Sequence, residues 1–472
     1  MLRLALCAAL IASFARAGAP SQQPHPINLA TVLALADAAP LDIALAARRT
    51  EAAAADLSRA RALWLPTVTT GVDYYRHDGQ LQDIVGNVFT TSRSAVMAGV
   101  GPTMQFAFTD ALYAPLAAKQ ELRARREEEQ AARNDSAMAA ALAFFEVQRA
   151  RGEVAGGLEA VRKAGELVGR VSKLAPSIVP LVEASRARSE LARRRLAVES
   201  AHERWQVQSA ELARLLRLPP AALVVPTEPP ELRVPLIDPA LGMDELIPLA
   251  MANRPELAAY QAVVEAAQVR LRQERLRPFI PSFALRGAAT NPGGTLSSGV
   301  FGGGVNSRLS DFTWRNSMDA QLTWQLQNLG FGNRAAVRRR QAESEIAAVQ
   351  AARLQDGIAA EVAQAHARAS RAEARLGIAA EALREAEDTA EKSLEGLGQT
   401  RRVGGLLQTV VRPQEAAAAI AALEQGYRDW YGAAADANRA QFQLYRALGQ
   451  PAQALLAQVP PAPRGAVAGS AP

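Results

Sequence analysis

The chain carries the same order of sequence features twice, and this repeat constrains its fold more than any other feature. In each half a proline opens a helical stretch, and an apolar-Pro pair closes it before a strand. These are Pro40 with Leu65-Pro66 in the first half, and Pro255 with Ile280-Pro281 in the second. The prolines of each half are 26 residues apart, and the two halves are offset by 215 residues. A second strand and long Ala-rich helices follow in each half, so the order predicts a tandem duplication.

The first 17 residues read as a secretory signal peptide. Met1–Arg3 is a basic start, Leu4–Phe14 is apolar, and Ala15-Arg16-Ala17 has the small-x-small pattern of a cleavage site. The only cysteine, Cys7, lies inside this segment. A lipoprotein signal would need a small residue before the cysteine and a longer apolar run ahead of it. We therefore expect an exported chain without disulfides, thiolate metal sites or a cysteine nucleophile.

The charge pattern indicates solvated helices. Removing Arg3 and Arg16 lowers the formal net charge from +6 to +4. Arginines and glutamates are interleaved in residues 121–129 and 338–345, which is typical of a solvated helix face and argues against a nucleic-acid partner. No mature stretch reaches the roughly 18 uninterrupted apolar residues of a membrane helix. Any membrane segment is therefore expected to consist of strands.

Four segments read as strands: residues 66–78, 94–108, 281–291 and 316–327. In the last one, apolar residues alternate with polar ones, so the two sets lie on opposite faces. If the strands span a membrane, the expected lumen-facing residues are Asp319, Gln321, Thr323 and Gln325. The expected lipid-facing residues are Val100, Phe106, Leu322, Trp324 and Leu326. A half-buried sheet in a soluble domain would produce the same alternation.

Strand number bears on this alternative. A membrane barrel needs about eight strands or more, and an open sheet edge in lipid leaves backbone groups unpaired. Four strands can therefore span a membrane only if several copies share one barrel. Two copies would give eight strands and three would give twelve, and the residues alone permit either.

The remaining segments read as helices and connections. Long helices are predicted at residues 112–174, 181–217, 333–398 and 405–448, with short ones at 41–63 and 255–277 and with Asn333 as an N-cap. Alanine occupies most positions of a 3-4 spaced seam from Val362 to Ala390, which favours tightly packed staves of a cylinder over a bulky coiled-coil dimer. An elongated coiled-coil scaffold is the alternative. The predicted organisation is a first repeat at 18–218, a Pro-rich linker at 219–242, a second repeat at 243–451 and a disordered tail at 452–472.

The sequence offers no catalytic site. The four histidines are isolated from one another, and zinc-protease, nucleophile-elbow and phosphate-loop motifs are absent. Gly302-Gly303-Gly304 lacks the lysine and capped helix of a phosphate cradle and is expected to be a flexible loop. We expect no enzyme activity, no cofactor and no metal.

Several segments together resemble the TolC-like outer-membrane efflux factors. The resemblance covers nearly all of the mature chain. It rests on the helix-to-strand joint in both halves, on the run from Trp324 through Leu329-Gly330-Phe331-Gly332-Asn333, and on two closing motifs. These are Asn438-Arg439-Ala440-Gln441-Phe442 and Ala447-Leu448-Gly449-Gln450-Pro451.

This resemblance implies an α+β membrane protein that forms a homotrimer. It implies a shared twelve-stranded barrel in outer-membrane lipid and a periplasmic helical barrel. The implied function is an exit channel for an efflux or type I secretion system, with a periplasmic adaptor protein and an inner-membrane transporter as partners. The residues implied at the periplasmic tip are Ala175, Pro176, Arg401, Arg402, Gly404 and Gly405. A periplasmic adaptor or coiled-coil scaffold without a barrel is the alternative function.

Overall fold

The computed structural model describes residues 24–38, 40–175, 177–229, 231–238, 240–286, 297–302, 313–317, 319–403 and 406–458. The helices are α1 (Leu29–Ala38), α2 (Leu41–Arg61), α3 (Phe108–Leu174), α4 (Leu181–Leu216), α5 (Met243–Asn253), α6 (Pro255–Leu276), α7 (Phe331–Leu397), α8 (Pro413–Ala447) and α9 (Ala452–Gln458). The strands are β1 (Pro24–Ile27), β2 (Thr67–Gln82), β3 (Val88–Ala107), β4 (Leu223–Pro226), β5 (Ser282–Arg286), β6 (Ser297–Gly302), β7 (Thr313–Ser317), β8 (Asp319–Thr323), β9 (Thr400–Val403) and β10 (Leu406–Thr409).

The chain divides into two compact units, and each takes segments from both halves of the sequence. The first unit comprises Met1–Ala46, Glu129–Pro255 and Gln355–Pro472, and the second comprises Ala47–Glu128 and Glu256–Leu354. The predicted repeats are therefore not separate domains. The physical reason lies in the second unit, where strands of both halves join in one sheet. The tandem duplication itself stays a prediction.

The core of the first unit is built around three phenylalanines. Phe144 and Phe145 of α3 and Phe442 of α8 are fully buried, and the rings of Phe145 and Phe442 lie 5.6 Å apart. The core also contains Leu29 and Val32 of α1. By length and composition one helical segment of the described residues, Leu29–Trp64, is apolar enough to cross a membrane. Because α1 buries its apolar side chains in this core, we interpret it as a core helix.

The segment predicted as a linker is held firmly by side chains. β4 pairs in parallel with β1, near the start of the described chain. The buried amide of Asn438 donates to Leu232 O (2.6 Å) and accepts from Val234 N (3.0 Å). Gln441 accepts from Ile237 N at 3.1 Å. These bonds give a physical reason for the polar residues of the Asn438-to-Phe442 motif.

Two predicted boundaries are wrong. The sequence predicts a helix from residue 405, but the chain forms an antiparallel hairpin of β9 and β10, and α8 begins only at Pro413. Proline suits the first turn of a helix, and Glu415 accepts a bond from Arg412 N (3.0 Å). The sequence also predicts a disordered tail from residue 452. Residues 452–458 instead form α9, in which Ala452 and Leu455 are buried.

Candidate functional site

The sheet of the second unit is the first candidate site. β2 and β3 form a long hairpin, and the other edge of β3 pairs with β5 and β6. These two strands pair in turn with β8 and β7. The sheet thus has four rows: β2, then β3, then β5 and β6, and then β8 and β7. Among the described residues, neither the outer edge of β2 nor that of the β7–β8 row has a partner strand.

One face of this sheet is apolar. Residues paired across strands share a face, and Phe106 of β3 pairs with Phe283 of β5, which pairs with Leu322 of β8. Leu322 is 56 % exposed, and Val72 of β2 is 71 % exposed. By strand alternation, the apolar face comprises Val68, Val72, Tyr74, Val96, Met104, Phe106, Phe283, Leu285 and Leu322.

The opposite face is mostly polar, although by strand register Tyr75, Met97 and Phe301 also belong to it. Gln105 of β3 pairs with Ala284, which pairs with Gln321 of β8. By the same alternation, the polar face comprises Thr67, Asp73, Gln105, Ser282, Asp319, Gln321 and Thr323. A sheet with one apolar and one polar face can separate lipid from water.

Some predicted face residues lie beyond the strands. The sequence predicts a strand to residue 327, but β8 ends at Thr323, so no strand pairing fixes the faces of Trp324, Gln325 and Leu326. Asn328 and Leu329 adopt left-handed conformations (φ 52° and 57°), which turn the chain into α7. Asn333 does not start this helix. α7 begins at Phe331, and the Asn333 side chain accepts a bond from Gln327 N at 2.7 Å.

Two further predictions concern residues that are only partly described. Val100 pairs with Thr70 through its backbone, and its side chain lies outside the described residues. Met318, Gly303 and Gly304 also lie outside them. The predicted assignment of faces to lumen and lipid stays a prediction.

Aromatic residues cluster where the sheet meets the helices. The ring of Phe106 lies 6.2 Å from Trp64, 6.3 Å from Phe108 and 6.3 Å from Phe283. Along β2, the first aromatic residue on the apolar face is Tyr74, which pairs with Val96. At the usual rise and tilt of membrane strands, the ten residue steps from Val96 to Phe106 span about 25 Å, the height of the apolar band of outer-membrane barrels.

A second candidate site lies in the first unit, where the ends of α3, α4, α7 and α8 share one apolar cluster. Its buried members include Leu167, Val171, Ala184, Ala187, Leu394, Leu397, Ala416 and Ile420. Arg170 donates to Leu394 O at 2.5 Å, and Gln414 donates to Glu183 at 3.2 Å. These contacts hold the α3–α4 connection beside the α7–α8 connection.

The predicted tip residues fall on these two connections. Ala175 packs against the apolar cluster. Arg401 and Arg402 lie in β9, and their side chains are outside the described residues, as are Pro176, Gly404 and Gly405 as a whole. Two glutamates border these connections: Glu183 is buried and paired with Arg186 at 2.5 Å, whereas Glu395 is exposed.

Charged residues elsewhere in the first unit are paired across helices. Glu424 of α8 contacts Arg194 of α4 and lies 3.1 Å from Arg428. Burial alone would lower the pKa of Arg194, but its hydrogen bonds to Glu424 and Glu190 raise that pKa above the ordinary value. Among the described residues, no group of three or more metal-ligating side chains lies together.

Comparison with solved structures identifies the fold as that of bacterial outer-membrane channels. The sequence matches no family model and no curated protein. The Campylobacter jejuni outer membrane channel CmeC has a TM-score of 0.72 and 15 % identity, covering 89 % of this chain and 85 % of CmeC. The Neisseria gonorrhoeae outer membrane channel MtrE, in its open state, has a TM-score of 0.70 and 16 % identity, covering 89 % of each chain.

The Vibrio cholerae outer membrane protein VceC is similar to the same extent. Its TM-score is 0.69 at 17 % identity, over 89 % of this chain and 96 % of VceC. The resemblance to TolC-like outer-membrane efflux factors is thereby confirmed at the level of the fold.

Proposed function

We propose that the protein is an outer-membrane channel, the exit duct through which an inner-membrane transporter passes substrates out of the cell. The observation that carries this proposal is the four-row sheet, which has one apolar face and, among the described residues, an edge without a partner strand at each end. A sheet edge cannot stay unpaired in lipid. When the edges of neighbouring copies pair, the backbone groups at these edges form hydrogen bonds with each other. The apolar face then remains toward lipid.

We propose three copies, and strand arithmetic together with the resemblance to TolC-like proteins supports that number. Three copies of four rows give twelve strands, and a homotrimer is what the resemblance to TolC-like proteins implies. In this arrangement the polar face lines a water-filled lumen. The helices form a periplasmic body, and the protein acts as a conduit rather than as an enzyme.

Partners are proposed at the connections between the long helices. The connections at 175–180 and 398–412 are the proposed docking region for a periplasmic adaptor protein, which in turn contacts the transporter. Ala175, Pro176 and the β9–β10 hairpin with Arg401 and Arg402 lie in this region. The hairpin gives the second connection a backbone different from the helix that the sequence predicts from residue 405.

Cell fractionation distinguishes the channel from the alternative of a periplasmic adaptor. We expect the mature protein to sediment with the outer membrane and to require detergent, because Val68, Val72 and Leu322 would otherwise expose the apolar face to water. In detergent the particle should have the mass of three chains and should conduct ions in planar bilayers. Recovery as a soluble periplasmic monomer would contradict the proposal.

Cysteine labelling tests which face lines the lumen. We expect Gln321→Cys to react with a membrane-impermeant thiol reagent in isolated outer-membrane fragments, because its face is in water. Leu322→Cys, the neighbouring residue on the apolar face, is the matched control and should not react. The reverse pattern would show that the two faces are exchanged, since one residue of register exchanges them.

A further inference from the structure

The two faces of the β2–β3 hairpin exchange their polarity beyond Tyr74. Before Tyr74 along β2, the face of Val68 and Val72 is apolar. After Tyr74, the same face of β2 carries Arg76, Asp78, Gln80 and Gln82. Arg76 donates to Asp78 at 2.7 Å, and Ser92 of β3 also donates to Asp78. The outward face is therefore suited to water, and the apolar band ends near Tyr74.

The polar face changes in the opposite direction. Leu81 of β2 pairs directly with Phe89 of β3, and the register of the two strands is constant from Thr67–Thr103 to Gln82–Val88. Leu81 and Phe89 therefore lie on the same face as Asp73 and Gln105. Phe89 is 50 % exposed. The face that carries Asp73 and Gln105 thus ends in the apolar pair Leu81–Phe89 at the far end of the hairpin.

The end of the hairpin is an ordered turn with further apolar residues. The Asp83 carboxylate accepts hydrogen bonds from Val85 N (3.0 Å), from Asn87 N (2.7 Å) and from the side-chain amide of Asn87. The side chains of Ile84 and Val85 are fully and 86 % exposed, respectively. We name Leu81, Ile84, Val85 and Phe89 the mouth cluster.

Lipid does not cover the mouth cluster. Leu81 lies seven residues beyond Tyr74, about 23 Å farther along the strand, and the outward face between them is polar. Exposed apolar clusters of this kind normally have a partner. If the polar face lines the lumen, as the proposed function requires, Leu81 and Phe89 point toward the channel axis. The surfaces across that axis are the mouth clusters of the other copies.

We propose that the mouth clusters of neighbouring copies pack against one another and form an apolar constriction at the outer end of the channel. Its occupant is a second copy of this chain, in contact through Leu81 and Phe89. A ring of apolar side chains in a water-filled pore restricts ion flow by dewetting. The inference rests on the proposed function, because it needs the polar face to line a shared lumen.

Crosslinking tests the contact between copies. With Cys7 replaced by serine, Phe89→Cys is the only thiol of the chain. We expect oxidation to link two protomers of each trimer covalently. Thr90→Cys is the matched control, because Thr90 is the next residue and lies on the outward face, and it should remain unlinked. Equal linking of both variants, or linking of Phe89→Cys to a different protein in cells, would overturn the proposal.

Single-channel conductance tests the constriction. We expect the double variant Leu81→Asn/Phe89→Ser to conduct about twofold or more above the wild type in planar bilayers, because polar side chains keep the mouth hydrated. Val88→Ser, on the outward face, should leave conductance unchanged. If the asparagine variant fails to assemble, Leu81→Ala/Phe89→Ala removes the same apolar bulk.

The outcomes separate this inference from the function on which it rests. A wild-type trimer that conducts, with unchanged conductance in both double variants, overturns the constriction and leaves the channel standing. A wild-type protein that neither forms trimers nor conducts overturns the proposed function instead.

Discussion

Replacing Gly449 by alanine is expected to prevent most of the protein from accumulating in folded form. Gly449 follows α8 with a φ of +70°, and an added Cβ would lie 2.7 Å from both Arg254 N and Asn253 C. These are backbone atoms, which cannot rotate away as a side chain can. The left-handed conformation of an alanine costs about 1–2 kcal/mol, and overpacking costs about 1–3 kcal/mol. Together they lower the free energy of unfolding by several kcal/mol, which is a large part of the stability of a typical domain.

The contacts around Gly449 explain why the chain approaches so closely here. The side chain of Arg254 is only 4 % exposed, donates to Ala447 O at 3.1 Å, and lies 2.8 Å from Glu361. Arg446 contacts the same carboxylate at 2.7 Å. The end of α8 is thus joined to α7 and to the α5–α6 junction. A methyl group at position 449 would push these partners apart.

A glycine without close neighbours separates the two costs. Gly330 also has a positive φ (+88°), but no atom of the described residues lies within 4 Å of the position of an added Cβ. We expect Gly330→Ala to lower the free energy of unfolding by about 1 kcal/mol, which is the cost of the left-handed backbone alone. Protease resistance in membranes and the urea midpoint of detergent-solubilised protein measure both variants. If both variants lost the same amount of stability, the close packing at Gly449 would contribute nothing to the effect of the added methyl group.

The helices were predictable because their signal is local and long. α3 and α7 begin within four residues of their predicted starts at 112 and 333. The sequence does not predict the β9–β10 hairpin, because a Gly-Gly pair between long helices indicates only a helix break. The start at Pro413, with Glu415 two residues later, was a readable signal of the true boundary of α8. α9 was grouped with the Pro-rich residues that follow it.

Other features depend on contacts that local patterns do not encode. β1 and β4 pair although about 200 residues separate them. The alternation of β2 predicts two faces, but the register with β3 is needed to place Leu81 opposite Phe89. The buried ion pairs were also missed, because an arginine inside a helix interface has the same sequence appearance as one on a solvated face.

One such ion pair supports the second large prediction. Arg194 of α4 contacts both Glu424 of α8 and Glu190, and the side chains of these three residues are 15 %, 5 % and 14 % exposed. Removing one member of a buried pair leaves a charge in a poorly solvated place, which costs about 3–5 kcal/mol. Arg428 remains beside Glu424 at 3.1 Å. Because Arg428 still partly balances the charge of Glu424, we expect Arg194→Met to lower the free energy of unfolding by about 3 kcal/mol, the lower end of that range.

Two companion variants make the prediction specific to buried charge. Arg162 pairs with Glu159 and Glu166 on the surface and is 54 % exposed, so Arg162→Met should cost less than about 1 kcal/mol. In Arg194→Met/Glu424→Leu the buried Glu424 carboxylate is gone as well, and Glu190 keeps Arg193 as a partner at 3.4 Å. The double variant should therefore regain much of the stability that the single variant loses. The urea midpoints of the three proteins in detergent give the comparison. If the double variant were less stable than Arg194→Met, the pair would act through packing, and α4 would be held to α8 by shape rather than by charge.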